Sequence, residues 1–337
     1  MLLLAIHQDW IVAAFAILFL RSAAAKFFGP AEMGLMQGTL SSEQYVRAAG
    51  MNQMVMGMFM LFGMGLGAAS YRYFGIEGAI IIDGVSFVIS GILVLSCRFA
   101  LEIRLPNGKA RLKDIGVRSI FSDFREGFRY IRNHRLLLAI LSGYFMFGII
   151  DGVFAILPVF TMKYKLSPQE YETYSPLVMV FLGIGFMIGS ALSSAMIKRF
   201  SATAVLIAGM FSSGILIVLF SGITSVWLYL ILILIVGILV SPINVVLGGW
   251  IPELVEPSKM GRVVAWFEPV IMLAQSLTLG LIAIAFPSFV SIGALYIVAG
   301  LCLLTASVYY RLVLPRLFRD HHPSAAPSSR STVEFGA

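Results

Sequence analysis

The sequence predicts an all-α membrane protein of about nine transmembrane helices, three ahead of a basic segment and six behind it. Composition is the first reason. The 337 residues are 59% hydrophobic and 12% charged, with a mean hydropathy of +0.93, a balance foreign to soluble globular domains. The second reason is the length of the apolar runs. They recur at roughly 20 residues, enough to cross a hydrocarbon core about 30 Å thick, and they do not alternate apolar with polar as barrel strands do. Inside lipid the backbone must pair within each run, which makes the runs helices. The third reason is the basic segment at 98–135, which divides the runs into two unequal blocks.

Taken in order, the apolar stub at 1–6 is too short to span and lacks the basic leader of a signal peptide. Polar His7, Gln8 and Asp9 follow, and the first span covers about 10–28. The next two cover about 51–71 and 78–97. Beyond the basic segment, spans are expected at about 136–160, 176–197, 204–222, 226–247, 263–286 and 292–314. Within the basic segment, 115–132 (IGVRSIFSDFREGFRYIR) spaces Ile120, Phe121, Phe124, Phe128 and Ile131 at helical intervals. That pattern gives an amphipathic helix lying on the inner membrane surface, read as a linker between two bundles, with a regulatory site as the alternative. The tail from Asp320 is polar and rich in Pro and Ser, and is expected to be disordered.

Orientation follows from Lys and Arg. With the basic segment in the cytoplasm and the spans alternating, 21 of the 24 basic residues fall inside, and Arg72, Lys163 and Lys165 fall outside. The C-terminus is then cytoplasmic. The net charge of +7 is the ordinary basic surplus of inner loops facing anionic lipid, so no nucleic-acid partner is expected. No phosphate-binding glycine loop, Ser-His-Asp set, HExxH or CxxC is present, which argues against ATP-driven transport, an enzyme, a cofactor or a metal site. Cys97 and Cys302 read as packing residues.

Two inner loops resemble each other. One is 29–53 (GPAEMGLMQGTLSSEQYVRAAGMNQ) and the other is 248–269 (GGWIPELVEPSKMGRVVAWFEP). Each has a short hydrophobic turn, an acidic residue and then a basic residue opening the next helix, with Arg47 and Arg262 at matching positions. Parallel six-span repeats are known among secondary transporters. On that match the first complete span is the fourth of its half.

At this point the chain resembles the major facilitator superfamily, in particular its bacterial efflux branch of macrolide and enterobactin exporters. The resemblance is carried by Phe28, Gly29, Pro30 and Ala31, by YVRAA at 45–49, by IDGVSF at 82–87 and by IPELVEPSKMGRV at 251–263. It implies twelve helices in two six-helix bundles, a central cavity and alternating access driven by an ion gradient, usually protons. Against that plan, 1–97 is a partial first bundle equivalent to helices four to six with a stub of the third. Residues 98–135 are the linker, 136–314 the second bundle and 315–337 the tail, so the first two helices and most of the third are expected to be missing. There are departures. GSALSSAMIKRF at 189–200 keeps a glycine and the pair Lys198, Arg199 but has no acidic residue, and GMGLG at 63–67 has methionine where exporters often carry proline.

An ionisable group inside a membrane is costly and therefore a functional candidate. Asp151, about midway along its span, is the candidate for proton coupling; the alternative is a carboxyl hydrogen-bonded between helices. Asp83 lies in a motif that looks family-wide and is read as structural. Glu268 either joins an inner gate with Arg262 or Arg21, or is an interfacial glutamate that reaches water. Arg21 either snorkels to the inner surface or faces the cavity as a gate or anion-binding cation. Gln275 and Asn244 either bind substrate or bridge helices. Met51, Met54, Met56, Met58, Met60 and Met64 crowd one helix, which suits a wall for varied apolar ligands as well as lipid contact.

The resemblance thus implies a proton-coupled efflux permease for a hydrophobic or amphipathic, drug- or macrolide-like molecule, monomeric in a bacterial inner membrane. The other readings are a siderophore or lysolipid carrier of the same fold, and a truncated remnant or partner subunit that does not transport.

Overall fold

A computed structural model describes residues 11–104, 116–287 and 289–321. The stub, the polar patch at His7 and most of the tail lie outside the described residues. All regular structure among the described residues is helical. The first block holds α1 (Ile11–Ala25), α2 (Phe28–Thr39), α3 (Ser42–Ser96) and the single turn α4 (Leu101–Arg104). The linker helix α5 (Val117–Asn133) follows. The second block holds α6 (Arg135–Thr161), α7 (Tyr171–Phe200), α8 (Ala202–Leu219), α9 (Val226–Leu254), the short α10 (Met260–Val264), α11 (Phe267–Ala285) and α12 (Ile292–His321). Seven stretches among the described residues are long and apolar enough to cross a membrane.

The 55 residues of α3 would make a straight rod about 80 Å long. Both of its ends nevertheless lie beside the 12-residue α2. At the start, the Tyr45 hydroxyl donates to the Gln37 carbonyl at 3.2 Å. At the end, Val94 and Leu95 share a cavity wall with Pro30, Ala31 and Gly34. The chain therefore doubles back between them, and it does so at Gly75, whose φ of 65° belongs to the left-handed region that a side chain disfavours. The two arms, 42–74 and 76–96, are the spans expected at 51–71 and 78–97. Below, the face carrying α2 and α5 is called inner.

Three boundaries differ from expectation. The first run breaks at Lys26 and Phe27, where the α1 ladder closes in turn-like bonds and α2 begins as a separate helix in what reads as a loop. Helix α9 continues past 247 to Leu254, since Gly248 and Gly249, which open the expected inner loop, instead lie against Ala49 and Val46 of α3. Helix α12 continues to His321, taking in Asp320.

The second block is a packed bundle. Helix α9 packs on α7 and α8, α12 on α8 and α6, and α11 on α6. Its centre is filled by Leu137, Ile140, Leu206, Met210, Ile233 and Ile243, all essentially without exposed surface. Several of the polar groups inside it pair with one another or with backbone, as a membrane interior favours, while the buried Ser213 and Ser241 hydroxyls have no partner among the described residues. The Tyr296 hydroxyl lies 2.8 Å from both the Thr161 and Tyr229 hydroxyls, all three buried. The Tyr310 hydroxyl donates to the Ala139 carbonyl at 3.1 Å.

Candidate functional site: an inner closure and an intramembrane carboxylate

The two blocks meet along their inner halves. Helix α9 ends at Leu254, and carbonyls in the last turn of a helix have no N–H of their own to receive. The Gln37 side chain of α2 supplies one. Its Nε2 donates to the Pro252 carbonyl at 2.9 Å and also to the Val255 carbonyl. Tyr45 is buried behind Gln37, and that burial, with Glu253 nearby, holds its hydroxyl above the usual phenol range. Just before α2, Lys26 pairs with Glu268 at the start of α11. On the inner half of α3, the Ser190 hydroxyl of α7 donates to the Gly50 carbonyl.

The closest approach is further in. A Cβ on Gly57 of α3 would lie 2.8 Å from the Gly183 carbonyl of α7, and a Cβ on Gly183 would lie 2.8 Å from the Gly57 carbonyl. Only glycine at both positions lets the two backbones touch. Toward the outer side the contact ends. Ala68 and Tyr71, which continue the Gly57 face of α3, are exposed, as are Met179 and Pro176 on the Gly183 face of α7. Among the described residues the blocks are thus shut on the inner side and parted on the outer side.

Asp151 sits on α6, about two-thirds of the way from its inner to its outer end, with its side chain exposed. The neighbouring Gly152 holds α6 against α11, where a Cβ would meet the Gln275 carbonyl at 2.9 Å and Thr278 Cβ at 2.8 Å. Gln275 is half-buried and lies two helical turns from Glu268 on the same side of α11, the side that reaches Lys26 of the first block. Asn244 is half-buried on α9. Gly152, next to Asp151 in the chain, therefore touches the Gln275 backbone, and Asn244 stands on a different helix.

The remaining candidates pair differently from expectation. Glu268 takes Lys26 as its partner, in place of Arg262 or Arg21. Arg21 pairs with Asp83 at 2.9 Å inside the first block, over the Phe87 ring at 5.3 Å. Arg262 turns to the linker helix, with its Nε 2.9 Å from Asp123 and a terminal nitrogen 3.1 Å from Glu126. Beside it the Trp266 indole stacks on Phe124 at 3.8 Å and donates to the Phe124 carbonyl at 2.8 Å. Arg47, its match in the repeat, is exposed. A cavity of about 770 Å³ lies under this junction, walled by Gly34, Leu95, Ile103, Asp123 and Arg262. No group of three or more His, Cys, Asp or Glu that could hold a metal occurs among the described residues. Lys26, Gln37 and the Gly57–Gly183 pair are what sequence reasoning missed. Lys26 stood only in the charge count, and a neutral glutamine in a loop carries no signal.

A family model described as Major Facilitator Superfamily matches residues 1–202. The chain is also 44% identical over 303 residues to a protein of Bacillus subtilis (strain 168) named "Uncharacterized MFS-type transporter YkuC". That alignment covers 90% of this chain and 70% of the relative. The chain belongs to the major facilitator superfamily. As a major facilitator protein it is a multi-pass membrane protein of a transport family. The family match extends through α7 and so takes in the linker helix, Asp151 and the Gly57–Gly183 contact.

Proposed function

We propose that this major facilitator protein is a proton-coupled exporter of a hydrophobic or amphipathic small molecule, akin to the bacterial efflux branch, working by alternating access. The observation that carries the reading is Asp151. It is a carboxylate within a membrane span, set on an exposed side of α6 on the parted, outer half of the molecule. A group there takes a proton from the outer side, and closure of the outer side then desolvates it unless it stays protonated. Proton entry is in that way linked to the return of the empty carrier. Gln275, beside Gly152, is the polar partner for cargo on the same wall, with Asn244 on α9.

The rocking point is the Gly57–Gly183 contact, where two backbones touch without side chains to lock them. The abundance of methionine on α3 supports an adaptable, apolar cargo wall. The basic inner loops support a bacterial plasma-membrane protein with its C-terminus in the cytoplasm. We propose that it acts as a monomer.

The test is transport by the purified full-length protein in proteoliposomes, with a hydrophobic fluorescent dye and an imposed pH gradient. Gradient-driven dye movement that disappears in Asp151→Asn, while passive dye exchange persists, supports the reading. Coupling retained in full by Asp151→Asn overturns the proton role.

A further inference from the structure

We infer that Gln37 is a positioning residue of the transport cycle, an uncharged latch that holds the inner face shut by gripping the C-terminal end of α9. The inference rests on the alternating-access reading.

Three observations carry it. First, the bond geometry is one-sided. The Gln37 amide nitrogen donates to two carbonyls of one helix end, Pro252 and Val255, across the boundary between the blocks. Second, the amide oxygen is buried and has no partner among the described residues, so the side chain is held in place by what it donates. Leaving an acceptor unpaired costs free energy, which the two donated bonds offset. Third, the residue is itself fixed, because the buried Tyr45 hydroxyl donates to its backbone carbonyl.

Opening the inner face must pull α2 from α9. Both carbonyls then pass from Gln37 to water, and the orphaned amide oxygen gains water too. The latch is thus strong enough to define the closed state and weak enough to release, because water replaces what is lost. A charged latch in the same place would respond to salt and to neighbouring charge, here Glu253, Glu256 and Lys259 around the end of α9. A neutral amide does not.

The test separates donation from packing. On a background with Cys97 and Cys302 replaced by serine, spin labels at Ser42→Cys and Glu256→Cys report the inner separation of the full chain in detergent and in nanodiscs. Gln37→Met keeps the length and removes the donor. Gln37→Glu replaces the donor with an anion at a helix C-terminus, where the dipole also opposes it. Gln37→Lys keeps a donor, and lysine at a helix C-terminus bonds the last carbonyls. The expected result is a longer-distance population that rises on the order of tenfold in the Met and Glu variants and stays near wild type in the Lys variant. A Met variant as closed as wild type, or Met and Lys variants equally open, overturns the latch. The readout needs no cargo or proton gradient. If the distances shift as expected while dye transport is absent, the latch stands and the proposed function fails.

Discussion

Arg21 and Asp83, 62 positions apart in the chain, meet at 2.9 Å between α1 and the second arm of α3. Each neutralises the other within a stretch meant for lipid, and the Arg21 guanidinium also lies over Phe87. The pair accounts for two charges that otherwise have no business inside a span, and it removes Arg21 from the inner gate.

The pair sets the first expectation. Removing one partner leaves the other charge unmatched in a low-dielectric setting, so Arg21→Gln and Asp83→Asn should each lower the melting temperature in detergent. The double variant should lose less than the sum, with a coupling of about 0.5–3 kcal/mol. Strict additivity would show that the contact contributes nothing.

The Lys26–Glu268 pair makes a different claim, because it bridges the blocks. Lys26→Glu places two carboxylates face to face and should open the inner side to a water-soluble thiol reagent. The exchanged pair, Lys26→Glu with Glu268→Lys, should restore protection. High salt should weaken the wild-type pair, since both side chains remain more than half exposed. An exchanged pair as open as the single variant would rule the bridge out.

The Gly57–Gly183 contact tolerates no added carbon without movement of a backbone. Gly57→Val should part α3 from α7, raise the inner openness seen by spin labels and abolish transport, with the second block still folded. Helix α8 against α12 provides the control, because these two pack on each other and neither is a main neighbour of α3. Wild-type transport by Gly57→Val would mean that the blocks do not pivot there.

Inside the second block, Tyr296 is the middle of a three-hydroxyl chain, and Thr161 and Tyr229 are its ends. Tyr296→Phe strands both ends in a dry interior and should cost about 1–3 kcal/mol. Tyr229→Phe breaks one bond of the chain and should cost less. The order of melting temperatures, wild type above Tyr229→Phe above Tyr296→Phe, checks this, and equal values for the two variants would overturn it.

The spans were legible because each is an apolar run near 20 residues with at most a few ionisable groups in it, and the hairpin tip was legible because Arg72 and Glu77 bracket it. Helix α2 was not, since its glycines, proline and scattered apolar residues have no strong helical face. The partners of Glu268, Arg21 and Arg262 were not legible either. A charge pair between helices depends on their rotation and depth, and one residue of slip turns a side chain by about 100°. Gln37 was hidden for a further reason. Its partners are backbone carbonyls, which every sequence has, and only the place where α9 stops makes them available.

The linker helix offers the last expectation. Arg262 holds Asp123 and Glu126 together on one side of α5, and Trp266 clasps Phe124 next to them. Removing the guanidinium leaves two carboxylates three residues apart on one helix, a repulsive spacing. It also frees one side of a helix that otherwise presents Arg118, Arg125, Arg129 and Arg132 to solvent. Arg262→Ala should therefore speed tryptic cleavage within α5 several-fold, while cleavage after Lys198 and Arg199 at the end of α7 stays unchanged. Arg262→Lys should fall between, because an ammonium reaches one carboxylate but lacks the fork that reaches two. If the Ala variant resists trypsin as well as wild type does, the Trp266 clasp alone holds the linker, and Trp266→Ala then becomes the variant that releases it.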